Sequence, residues 1–180
     1  MNRKYTISIY TENFIGLLSR VTVVFTRRHI NIDSLVVSES EIHGIHRFNL
    51  VVKTSEDQVK KVVMQLEKIV DVLRAFYYID EETVFQEIAL YKISTKGLSE
   101  GRSLERLIRN HHARMLTLES DYAVIEKTGH KEETQELLRL LQPFGVLEFV
   151  RSGRVSVTKS EKQFLDHLKE IEALHETQSE

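Results

Sequence analysis

Along residues 5–10, apolar Tyr5, Ile7 and Ile9 alternate with Thr6, Ser8 and the amphipathic Tyr10, the period-two pattern of a strand buried on one face. The period then changes. Leu17, Leu18, Val21, Val24 and Phe25 fall at helical spacing, while Ser19, Arg20, Arg27 and Arg28 fall mostly elsewhere, which predicts an amphipathic helix. Two β-rich runs within NIDSLVVSESEIHGIHRFNLVVK flank residues 41–45, where Gly44 accepts positive φ cheaply, so the stretch predicts a hairpin. Ser55 followed by Gln58 is a capping-box signature, and Val59, Val62, Val63, Leu66 and Ile69 then form a second helical stripe. A mostly apolar, β-branched and aromatic run over 70–78 closes a βαββαβ unit.

The order then repeats. A strand is expected within 84–95, a helix carrying Leu104, Leu107 and Ile108, a hairpin across 115–126, a helix carrying Leu137, Leu138 and Leu141, and a strand over 146–150. VVKTSED leading to VDVLRAF is echoed by VIEKTGHKEE leading to FGVLEFV about 70 residues later, a period suited to a duplicated domain and too long for a solenoid. Pro143 sits just past a helical stripe, where it stops the helix. The acidic DEET at 80–83 marks the expected boundary. Beyond it all, Ser160 with Gln163 caps a last amphipathic stripe, Phe164, Leu165, Leu168, Ile171 and Leu174, which predicts a terminal helix and polar tail over 160–180.

Composition narrows the chemistry. At 180 residues and 41% hydrophobic content the chain can bury real cores, as one ordinary domain or two small ones. Its 25 basic and 27 acidic residues nearly cancel, so no global field exists to collect nucleic acid or an anionic membrane. The absence of Cys excludes disulfides, thiolate catalysis and Cys-ligated metals, and leaves a reducing cytoplasm as the expected compartment. No apolar run approaches the roughly 18 residues of a membrane span, and MNRKYTISIY enters a strand without a signal core.

Candidate chemistry is sparse. No nucleophile elbow, phosphate loop or HExxH motif occurs, which weighs against an enzyme. His43 with His46 and His111 with His112 could in principle ligate a metal but read better as solvated loop histidines. Glu132, Glu133 and Glu136 open a helix, and Arg27 with Arg28 close one, as the macrodipole favours without any catalytic duty. The turn ENFIGLL differs in kind. Gly16 permits close approach of a ligand, and the amides of Ile15, Gly16 and Leu17 at a helix start form a seat for a carboxylate, with Asn13 able to donate or accept. On spacing alone, Asn13 as a simple helix cap explains the same residues.

The run ENFIGLLSRVTVVFTRRHINIDSLVVSESEIHGIHRFNLVV, then KIVDVL, and later TGHKEETQELLRLLQPFGVLEFVRSG resemble the small, regulatory subunits of acetolactate synthase, over nearly all of residues 4–157. The resemblance implies an α+β fold of two ferredoxin-like βαββαβ domains with a C-terminal helix: an ACT domain over 1–80, a family-specific C-terminal domain over 81–159, and the terminal helix. It further implies a non-catalytic chain that activates a catalytic large subunit and makes it sensitive to a branched-chain amino acid, usually valine. Thiamine diphosphate, Mg2+ and FAD would belong to that partner, and this chain would carry no cofactor. The chain would form a homodimer through its ACT domains. The effector would lie at the seam between the two chains, against Asn13, Ile15, Gly16 and Leu17 in the turn and Asn31 with Ile32 at the next strand. In that setting the amides of 15–17 would take the carboxylate, Asn13 and Asn31 the polar end, and Ile15, Leu17 and Ile32 the branched side chain. Thr117 stands where the resemblance leads one to expect Asp, and the expected terminal helix would be longer than that family's usual short tail. A free-standing ACT-type amino-acid or metal sensor is the alternative.

Overall fold

The computed structural model describes residues 2–96, 101–160 and 169. They form two compact units, one of residues up to Phe85 together with the segment from Arg154, the other Gln86–Gly153.

In the first unit, β1 (Arg3–Glu12) leads into α1 (Leu17–Thr26), then β2 (Ile32–Glu39), β3 (Ile45–Thr54), α2 (Glu56–Leu66) and β4 (Val72–Tyr78). The strands form an antiparallel sheet of order β2-β3-β1-β4. Tyr5, Ile7 and Ile9 of β1 share one buried cluster with Leu17, Val21 and Phe25 of α1 and Val59, Val62 and Leu66 of α2, so alternating and helical stripes meet as the pattern requires. Gly44 turns the β2–β3 hairpin at φ 79°. Ser55 caps α2, its hydroxyl accepting from Gln58 N at 3.4 Å, while the Gln58 side chain accepts from Arg28 instead of closing the box.

The opposite face of β1 departs from expectation. Thr6 and Ser8, read as the exposed side of a half-buried strand, are 0% and 1% exposed. A ninth strand, β9 (Val155–Thr158), with Arg154 before it, supplies the cover: Arg154 and Ser156 hydrogen-bond to side chains on this face. The sequence pattern ended at Val150 and gave no strand here.

In the second unit, β5 (Thr83–Ser94) is followed by α3 (Gly101–Asn110), β6 (Arg114–Leu118), β7 (Tyr122–Gly129), α4 (Lys131–Leu141) and β8 (Val146–Arg151), in sheet order β6-β7-β5-β8. This is the topology of the first unit again, with Tyr91, Ile93, Ile125, Leu104 and Leu137 at its core. The likeness reaches local irregularities. Register shifts fall at Tyr10/Thr11 and Lys92/Ile93 against the last strand of each sheet, and at Ile32/Ser34 and Met115/Thr117 in each hairpin. Pro143 lies in a 3-10 turn immediately after α4.

The 80–83 stretch holds a 3-10 turn over Asp80–Glu82, yet the compact units divide five residues past the expected boundary, within β5. The segment from Arg154 groups with the first unit because its hydrogen bonds run there. Residues 161–168 and 170–180, where the expected terminal helix falls, lie outside the described residues.

Candidate functional site

The turn after β1 is pinned from one side. Glu12 N donates to Asp71 O at 3.1 Å, and the Asp71 carboxylate pairs with Arg20 in the first turn of α1. Gly16, in the left-handed region at φ 82°, is the N-cap residue of α1 and offers no side-chain cap. Asn13 lies three residues before it and therefore does not cap this helix. The first i→i−4 bond is Arg20 N to Gly16 O at 3.2 Å, and Leu17 N donates to Phe14 O at 3.3 Å. Of the expected seat Leu17 N is thus taken, whereas Ile15 N and Gly16 N, like Leu18 N and Ser19 N beyond them, have no backbone partner among the described residues.

A Cβ built on Gly16 would meet nothing within 4 Å, so the turn opens outward. Asn13 is exposed, Ile15 is 103% exposed, and Phe14 and Leu18 add further exposed apolar surface. Leu17 differs: at 3% exposure its side chain belongs to the core and is not available to a ligand. Phe14 was not singled out from the sequence, and Leu18, expected on the apolar stripe of α1, lies outside the buried face of Leu17, Val21, Val24 and Phe25.

Asn31, exposed, and Ile32, half-buried, stand at the start of β2. One chain does not bring them to the turn. Glu12 pairs with Ile45 at the beginning of β3, whereas Ile32 pairs with Val52 near its end. The two groups thus sit at opposite ends of the same sheet, roughly 20 Å apart along the strands at about 3.3 Å per residue.

The other candidates resolve structurally. His29 and His112 both have positive φ, 52° and 51°. Each follows a helix as the left-handed residue of a Schellman motif: Ile30 N to Phe25 O and His29 N to Thr26 O are matched by Ala113 N to Ile108 O and His112 N to Arg109 O. His43 is an exposed side chain on Glu39. Among the described residues no group of three or more His, Asp or Glu could hold a metal. Glu132 and Glu133 lie in the first turn of α4, and Glu133 accepts from His130 N at 2.7 Å, a structural duty. The Thr117 hydroxyl donates to its neighbour Glu119 at 3.4 Å. No helix among the described residues is long and apolar enough to cross a membrane.

Residues 7–74 match the family profile described as an AHAS small subunit-like ACT domain, and residues 86–160 that described as the small subunit of acetolactate synthase. The acetolactate synthase small subunit of Mycobacterium bovis is 31% identical over 157 residues, covering 87% of this chain and 93% of that one. The chain belongs to the acetolactate synthase small-subunit family. The Bacillus subtilis small subunit is 30% identical over 161 residues, covering 89% and 93%. The crystal structure of a Thermotoga maritima acetolactate synthase small subunit superposes with a TM-score of 0.80 at 26% identity, over 88% of this chain and 99% of that one. Membership of this family gives the β1–α1 turn its context: it is the open turn of an ACT domain.

Proposed function

We propose that this chain is a non-catalytic regulatory subunit that activates the thiamine-diphosphate-dependent acetolactate synthase large subunit and confers feedback inhibition by a branched-chain amino acid, valine first. The observation that carries this reading, beside the family, is the open turn at Gly16. First-turn amides of α1 suit a carboxylate, the Asn13 amide suits the ammonium end, and Ile15 supplies apolar contact. Thiamine diphosphate, Mg2+ and FAD would reside in the partner.

The sheet register supports a site made by two chains. Since Asn13 and Asn31 lie at opposite ends of one sheet, they can face the same small ligand only if each comes from a different protomer in a two-fold pair. The edge strand β2, with Val37 39% exposed, offers unpaired backbone for joining a second copy. Effector at the seam then favours one arrangement of the pair. A coupling of about 1–3 kcal/mol changes the partner's equilibrium by roughly 5- to 150-fold.

Calorimetric titration of the full chain with valine, leucine and isoleucine tests this. Saturable binding of one of them is expected, abolished by Gly16→Asp, which places bulk and negative charge where the carboxylate sits. Equal binding by the wild type and Gly16→Asp would contradict the site.

A further inference from the structure

The segment after Gly153 carries a set of contacts that neither the turn nor the sheet's apolar core explains. Arg154, 5% exposed, donates from Nη1 to Asp80 Oδ1 at 2.6 Å and to Thr6 Oγ1 at 3.3 Å, and its guanidinium lies 3.5 Å from the centroid of the Phe85 ring. Its backbone N donates to Ser34 Oγ at 2.9 Å, and its carbonyl accepts from Asn49 Nδ2 at 2.9 Å. One residue therefore bonds to β1, β2 and β3 at once. Two residues on, Ser156 pairs with the Asn49 side chain, and its carbonyl accepts from Arg47 at 2.9 Å.

Burying an arginine with polar partners adds little net stability compared with an apolar patch, because desolvation offsets the pairing, but it fixes position tightly. Arg47 Nε and Arg154 Nε are buried with no hydrogen-bond partner among the described residues. The placement is informative. Ser34 stands two residues past Ile32, across the register shift of β2, and β1 is the strand that delivers the turn of Asn13 and Gly16. Arg154 is also the residue at which the chain re-enters the first unit from the second.

We infer that residues 154–158 are a strap that senses the positions of β1 and β2 and relays the effector state of the first unit to the second, with Arg154 as the positioning residue. The relay rests on the effector reading proposed above. A shift of β2 on binding would move the Ser34 hydroxyl, and Arg154, held by Asp80 and Thr6, converts that shift into a displacement of the chain at Gly153.

The test uses the full chain reconstituted with the catalytic subunit, comparing wild type, Arg154→Met and Ser34→Ala; the latter removes a single hydrogen bond and keeps the fold testable. Valine affinity, read by calorimetry, is expected to stay within about 3-fold, while the loss of activity at saturating valine falls at least about 3-fold in both variants. Undiminished inhibition in both, or affinity and inhibition weakening in parallel, would overturn the relay. If the wild type responds to no branched-chain amino acid, the effector reading fails by itself. Hydrogen exchange of the full chain then decides the strap: Arg154→Met should speed exchange in peptides covering both 28–36 and 146–153, and a rise confined to 154–159 overturns it.

Discussion

Ile15 and Leu17 stand two positions apart and face opposite environments. Leu17→Ala is expected to cost about 2–5 kcal/mol in denaturant unfolding, since its side chain is core. Ile15→Ala should stay within about 0.5 kcal/mol while weakening effector binding. Gly16→Ala should cost about 1 kcal/mol through its left-handed φ alone, because the added methyl meets open space. The inward sense of Leu17 was legible in the helical stripe that it begins, and that stripe takes its side chain into the core and away from a ligand. Arg154 was not legible at all. An arginine in SGRVSV looks solvent-facing, and what buries it lies 74 to 148 positions away in Asp80 and Thr6.

At the scale of elements, periodic stripes together with β-rich runs located the strands and helices of the two βαββαβ orders, most plainly in β1, α1 and α2, whose stripes are largely buried, and least in β6, which buries no residue. The four-residue β9 was missed: VSVT alternates, but over too few residues, and its buried side is the polar Ser156 while Val155 and Val157 are exposed. The helix ends were half-read. Ser55 announced α2, but the C-terminal signals of α1 and α3 carry His where glycine is the usual cue. His112→Gly should therefore raise stability by about 0.5–1 kcal/mol, measured as a shift in urea midpoint at unchanged slope, by relieving the left-handed backbone.

For the molecule as a whole, burial pushes the Tyr10 phenol up to about 12, against a smaller opposing pull from Arg47, and burial does the same for Tyr91. A folded value above the unfolded 10.0 means that the unfolded chain loses its proton first. The stability this contributes is whole below pH 10 and is lost as pH rises through 12, by about 1–2 kcal/mol for Tyr10. Urea unfolding at rising pH should show that decline, and Tyr10→Phe should lessen it by the Tyr10 share while the Tyr91 share remains.

The duplicated order was legible in the sequence echo, whereas the placement of Asn13 and Asn31 at opposite sheet ends follows only from strand register. If the site is shared between two chains, mixing Asn13→Ala with Asn31→Ala chains, each silent alone, should restore one intact site per mixed dimer. No restored binding on mixing would place both residues in one protomer's site, or in none.

The most direct test of the regulatory reading is acetolactate formation by the catalytic subunit, assayed with and without this chain and then with valine added. The reading predicts that the chain raises the rate and that valine lowers it again only when the chain is present. A rate indifferent to the chain would contradict it.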